Sequence, residues 1–268
     1  MKISVICPTY NSENFVEKTL KSVINQTYLP QEIILIDDGS SDNTIQILEE
    51  FKKEYQNMFQ IQIIESKHNG PGKARNIGIE NANNEWLAFL DSDDIWWSNK
   101  LEMVEASIKK NKNINFICHD EMLVKINGDK KEMLHSSSFN NNLPLKRQLY
   151  YANFISTSTV VCNKKLLNSE HSFFDESLMS AQDYELWLRL SSLDSNATQK
   201  INLLFIKEIL GEYVERKGNI TSGKLFSRLK NDIKISLKHR KDIPIRIVFL
   251  RFLRIFLSYF KQLIFRIF

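Results

Sequence analysis

The chain of 268 residues contains only three cysteines, Cys7, Cys118 and Cys162, far apart and without paired spacing. Their scarcity argues against a disulfide framework and a thiolate zinc site and fits a reducing compartment. No stretch reaches the roughly 20 uninterrupted apolar residues that a membrane-spanning helix needs, so any membrane contact is expected to be peripheral. The opening MKISVICPTYNSEN starts directly with a strand-like run and lacks the basic, apolar and small-residue order of a secretory signal, which points to the cytoplasm. Internal repeats and low-complexity linkers are absent, and so are the phosphate-binding patterns GxxxxGK[ST] and GxGxxG.

What is present is a hydrophobic content of 43%, enough for one substantial core. Net charge is +4, but it is unevenly spread: from Lys224 onward twelve lysines and arginines face two aspartates, which leaves the preceding part with a net charge of −6. An acidic body with a basic appendage is expected to meet two kinds of partner. Continuous periodicity marks residues 1–220 as one domain and 221–268 as a tail.

The first hundred residues alternate β-branched runs (Lys2 to Cys7, Glu32 to Asp37, Ile61 to Glu65, Trp86 to Leu90) with amphipathic stretches (Asn14 to Asn25, Asp42 to Tyr55, Gly72 to Asn81). This is the pattern of an α/β fold with a Rossmann-like, mainly parallel sheet covered by helices on both faces. Ligands of such sheets bind beyond the carboxyl ends of the strands, and those ends read CPTYN, DDGSSDNT and DSDD. Further on, the sequence predicts a helix over Lys100 to Lys110, a hairpin turning at Asn127-Gly128 and a helix over Gln182 to Leu193.

Asp91-Ser92-Asp93-Asp94 places three acids within four residues where a buried strand opens into a loop. Such charges repel unless a cation intervenes, and Mg²⁺ or Mn²⁺ takes one or two carboxylates together with diphosphate oxygens. The same tetrapeptide also reads as a turn capping a helix that starts near Trp97. Asp37 and Asp38 stand where a carboxylate can accept from a base N–H or a ribose hydroxyl, or simply shape a turn, and Asp42 or Ser41 suits the cap of the next helix. Tyr10, after Pro8, can offer its ring to a nucleobase or belong to the edge of the core. His68 to Asn76 sets glycines, Lys73 and Arg75 before a helix, an arrangement that favours phosphate.

It is the ordered set of segments that is specific. SVICPTYN, QTYLPQEIILIDDGSSDNT, NGPGKARNIGI, WLAFLDSDD and FDESLMSAQDYELWLRL together resemble glycosyltransferase family 2, inverting enzymes of GT-A fold. The resemblance covers residues 3 to about 190. It implies that Pro8 and Tyr10 hold uracil, that Asp38 accepts from its N3–H, and that Asp91 and Asp93 form a DxD motif with Asp93 on the metal. It also implies that Asp183 is the catalytic base, although many relatives carry glutamate before it and this chain has Gln182. Arg216, in the partly matching GEYVERKGNIT, falls near a position that faces the diphosphate, and Arg75 either joins the donor site or pairs with an acidic strand end. The implied reaction is metal-dependent transfer from a nucleotide-sugar, a UDP-sugar by the uracil assignment, to a hydroxyl of a glycan or lipid-linked acceptor in surface-polysaccharide assembly.

The tail reads PIRIVFLRFLRIFLSYFKQLIFRIF from Pro244. On helix geometry every polar residue after Arg246 falls within one arc, and the opposite arc holds Phe249, Phe252, Leu253, Phe256, Tyr259, Phe260, Leu263 and Ile267. A basic helix with an aromatic apolar face suits an anionic bilayer surface, which would place the protein on the inner face of the cell membrane. Packing onto the catalytic domain or onto another subunit would also use such a face. Nucleic acid is not expected, since the aromatics do not interleave with charge. Two rival functions are a sugar nucleotidyltransferase, whose glycine-rich basic loop after the first strand is missing, and a non-catalytic sugar-nucleotide-binding module, which retention of Asp183 disfavours.

Overall fold

The structure, a computed structural model, describes residues 1–167, 173–192, 200–216 and 225–267, with side chains as far as 263. The four apolar runs form β1 (Ile3–Thr9), β2 (Glu32–Asp37), β3 (Gln60–Glu65) and β4 (Trp86–Phe89), connected by α1 (Val16–Ile24), α2 (Thr44–Tyr55) and α3 (Pro71–Asn81). They pair in parallel in the order β3-β2-β1-β4. Helices cover both faces, so β1, β2 and β4 are buried at every position. Alternate side chains serve two cores: Ile6, Ile34, Ile36 and Phe89 on one face, Val5, Ile33, Leu35 and Ala88 on the other.

The second half of the sheet is mixed. β5 (Ile95–Trp96), α4 (Lys100–Lys110), β6 (Phe116–Val124), β7 (Lys130–Met133), α5 (Leu145–Tyr151), β8 (Val161–Asn163), α6 (Gln182–Leu190) and β9 (Leu203–Val214) follow in sequence. The sheet continues β8-β6-β9-β5 after β4, with β8 antiparallel to β4 and β6, β9 parallel to β6, and β5 antiparallel to β9. The two sheet halves thus meet across β4 and β8. The expected hairpin is present: Gly128 takes φ 87° and β7 folds back on β6. The expected helix from Gln182 runs to Leu190, and Leu193 lies outside the described residues.

The tail forms α7 (Leu225–Lys238) and α8 (Ile245–Ile267), which pack on each other, while α8 also lies on α5. Residues 217–224, where the sequence divides body from tail, and the side chains of Arg266 and Ile267 are outside the description. α8 is seated by the border between its two arcs: Arg251, Ile255 and Tyr259 are buried. Arg251 belongs to the polar arc, yet it turns inward because Asp232 and the Ser236 hydroxyl receive it and the Tyr184 ring lies under its guanidinium. The aromatic arc is left outward, with Phe249, Phe256 and Phe260 exposed.

Candidate active site

The carboxyl ends of β1, β2 and β4, the start of α3 and the start of α6 converge on a cavity of about 820 Å³. Pro8, Tyr10, Asp38, Arg75, Asp91, Asp93, Asp183 and Arg216 all line it.

At one end β1 stops at Thr9, and Asn11 takes φ 45° so that its side chain can accept from Ser41 N–H. Asp37 accepts from the Ser40 N–H and hydroxyl and from the Thr9 hydroxyl, which makes it a loop-shaping residue. Asp38 is buried and accepts from the backbone N–H groups of Asn69 (3.0 Å) and Gly70 (2.9 Å) and from the Ser66 hydroxyl. His68 Nδ1 lies 3.0 Å from Oδ2, the oxygen that also receives the Gly70 N–H. A carboxylate offers about four lone-pair sites, and these four neighbours match them, so an N–H arriving from the cavity would take the place of one of them, with His68 the side chain at the cavity wall. The half-exposed Tyr10 ring stacks on the His68 ring, centroids 4.1 Å apart and planes 21° apart. One face of Tyr10 is thus taken by this chain, a partner that the sequence did not disclose although His68 stood in the segment it singled out.

The acidic turn does not cap a helix. β5 intervenes and α4 begins only at Lys100, because each of the three acids has a distant partner. Asp91 pairs with Arg75 at 2.5 Å and Asp93 with Arg216 at 2.5 Å. Arg75 therefore does pair with an acidic strand end. Its buried Nε and one terminal nitrogen have no hydrogen-bond partner, which leaves donor capacity beside the acids. Lys73 instead pairs with Glu176. Asp94 is buried and accepts from the Ser158 hydroxyl and Val214 N–H. Burial, then the charges of Asp93 and Asp91, push its carboxyl well above the usual aspartate range. Ser158 also donates nothing to solvent: its hydroxyl accepts from Asp91 N–H, and its carbonyl accepts from Trp96 Nε1 and from the wholly buried Lys100. Burial pulls Lys100 well below the ordinary lysine range.

Asp93 is raised by burial and by Asp91, against the pull of Arg216. Among the described residues no group of three or more histidines, cysteines or acids converges as a metal site. Two neighbouring carboxylates nonetheless fit a divalent cation whose other ligands come from substrate phosphates, and their present arginine partners are groups that a bound cation and diphosphate would take over.

Asp183 stands in the first turn of α6, after Ala181 in a left-handed conformation with φ 59°. Such a conformation costs of order 1–3 kcal/mol in a non-glycine residue and is held here by the buried helix that follows. The carboxylate accepts from the Thr157 hydroxyl at 3.2 Å. Burial raises its pKa above the usual aspartate value, while Arg75 pulls the other way. The Ser156 to Thr159 run carries Thr157 and Ser158 to the site. Sequence reading passed over it, and its polar tetrad before an apolar strand was the available signal.

An α/β fold of this topology thus gathers the strand-end residues, the paired acids and a helix-borne carboxylate around one cavity. The chain belongs to glycosyl transferase family 2, whose model matches residues 4–169. It is 34% identical over 229 residues, 85% of this chain and 82% of the relative, to the UDP-Glc:alpha-D-GlcNAc-diphosphoundecaprenol beta-1,3-glucosyltransferase WfgD of Escherichia coli. It is 36% identical over 196 residues, 72% of this chain, to an uncharacterized glycosyltransferase of Rickettsia conorii, of which it spans only 31%. Staphylococcus aureus TarS 1-349, solved in complex with UDP-GlcNAc, superposes with a TM-score of 0.69 at 24% identity over 91% of this chain and 68% of that one, and shares the fold.

Proposed function

We propose that the chain is an inverting, metal-dependent glycosyltransferase that moves a sugar from a UDP-sugar to a hydroxyl of a glycan or lipid-linked acceptor in surface-polysaccharide assembly. The observation that carries this reading is the single cavity shared by the strand-end residues, the paired aspartates and Asp183. The name of the E. coli relative supports a UDP-sugar donor and a lipid diphosphate acceptor.

In this reading Pro8 and Tyr10 flank the uracil and Asp38 accepts from its N3–H. Asp91 and Asp93 would hold Mn²⁺ or Mg²⁺, and the cation would supply neutralisation of the charge on the departing diphosphate. Arg75 and Arg216, released from the acids, face the same oxygens. Asp183 takes the proton of the acceptor hydroxyl, whose oxygen bonds to the anomeric carbon from the face opposite the nucleotide. The bond from that carbon to the diphosphate oxygen breaks, its electron pair leaves with UDP, and an α-linked donor yields a β-linkage. Residues 1–220 act as the catalytic domain. Residues 221–268 attach it to the anionic inner face of the cell membrane, where cations contribute ~1 kcal/mol each.

The test is donor binding and transfer with purified protein against UDP-, GDP- and dTDP-sugars, with Mn²⁺ or Mg²⁺ and membrane extract as acceptor. Turnover of one donor should require the cation, Asp93→Ala should lose donor binding, and Asp183→Asn should bind donor but transfer at least ~100-fold more slowly. Binding without turnover in the wild-type chain would favour a non-catalytic module, and failure to bind any nucleotide-sugar would overturn the reading.

A further inference from the structure

α7 and α8 enclose a second cavity, about 340 Å³, that shares no residue with the first. Leu225, Leu229 and Ile233 form one wall and Phe252, Ile255 and Tyr259 the other. The Tyr259 hydroxyl donates to Asp232 at 2.8 Å, so this residue offers the groove its ring and not a polar atom. At the rim Phe226 is 76%, Phe256 63% and Phe260 51% exposed, and the last two stack 5.9 Å apart with planes 13° apart. A continuous aromatic rim around an apolar trough marks a binding surface.

Two features identify the occupant. The first is charge: Lys230 and Lys234 follow Phe226 by one and two turns on α7, both exposed, whereas Arg254 of α8 lies over the Tyr151 ring, away from the groove. An apolar trough with cations beside it fits a ligand that is hydrocarbon at one end and anionic at the other. The second is continuity: Ser227 and Arg228 line the catalytic cavity, while Leu225, Phe226 and Leu229 line the groove. One helix, α7, thus lines the apolar trough with some of its side chains and the catalytic cavity with others.

Resting on the reading that the acceptor is lipid-linked, we propose that the α7–α8 groove receives the hydrocarbon chain of a lipid-phosphate acceptor, whose sugar-bearing head passes around α7 into the catalytic cavity. The groove would then select a carrier lipid, beyond attaching the protein to a bilayer.

The test uses the full chain and flotation with phosphatidylcholine vesicles containing geranylgeranyl phosphate, against vesicles given the same negative charge by phosphatidylglycerol. The wild-type chain should bind the prenyl phosphate vesicles at least ten-fold more tightly. Phe226→Ser with Phe260→Ser, both at exposed positions, should remove that preference while leaving the melting temperature and UDP binding unchanged. Equal binding to the two charge-matched vesicles would overturn the proposal in favour of general membrane attachment. Sedimentation showing a lipid-free dimer that the double variant dissolves would overturn it in favour of a second copy of the chain. UDP binding is read separately by calorimetry, so its absence would count against the glycosyltransferase reading without deciding the vesicle result.

Discussion

A half-buried carboxylate near an arginine is poised between two demands, and Asp183 is such a group. Burial raises its pKa, and Arg75 with the Tyr184 N–H and the Thr157 hydroxyl limits the rise. A base must be ionised to accept a proton, so transfer should fall as pH falls through a value above the ordinary ~3.9 of aspartate. Removing the opposing cation moves that value further up: Arg75→Met should shift the acidic limb of the rate profile to higher pH as well as lowering the rate. A profile measured at saturating donor would check this, and an unmoved limb in Arg75→Met would show that Arg75 does not reach Asp183 electrostatically. The residues most easily identified from the sequence were those in contiguous motifs, such as Asp91, Asp93 and Asp183. Ser158 and Lys100 escaped because their significance lies in contacts over 67 and 58 residues of chain with no local pattern.

At the scale of elements, the site depends on α3 lying close enough to the sheet for Arg75 to reach the end of β4. Gly78 sets that distance: a Cβ there would sit 2.5 Å from Ile6 Cγ2 and 2.9 Å from Ile36 Cδ1. Both isoleucines are wholly buried and have no free space to withdraw into. Overpacking of this kind costs ~1–3 kcal/mol, and the better helix propensity of alanine returns at most ~1. Gly78→Ala should therefore lower the melting temperature by several degrees, ~2–4 °C for each kcal/mol in a chain of this size, and weaken donor binding as α3 tilts away. An unchanged melting curve would mean that the helix can lift without loss. The first four strands were legible because parallel strands buried on both faces read as apolar runs. β5 and β8 were not, since strands of two and three residues carry no period, and their pairing depends on partners elsewhere in the chain.

The whole molecule turns on how the basic tail joins the acidic body. Glu185, buried in α6, faces Lys238 at the end of α7, His239 directly after it, and Arg189 of its own helix. Burial opposes its ionisation, but hydrogen bonds from His239, Arg189 and Lys238 outweigh it and hold the carboxyl well below the usual range. The sequence alone left three places for the tail: an anionic membrane surface, the catalytic domain or another subunit. The inward turn of Arg251 over the Tyr184 ring and the packing of Ile247 and Val248 against the main core give α8 a structural share in the body, while Ile255 and Tyr259 are buried against α7. Deleting residues 244–268 should therefore have two separable effects. It uncovers Tyr150 and Tyr184, both buried, and should lower stability by ~3–5 kcal/mol, the range for losing a large buried side chain. It also removes the exposed aromatic arc and should abolish flotation with anionic vesicles. Phe249→Ser with Phe256→Ser separates the two, because these side chains point outward: the melting temperature should stay within ~2 °C, while vesicle binding should fall. If the deletion left the melting curve unchanged, α8 would be an anchor with no share in the body. If the outward-facing double variant bound vesicles as wild type does, the aromatic arc would not be the membrane-facing surface.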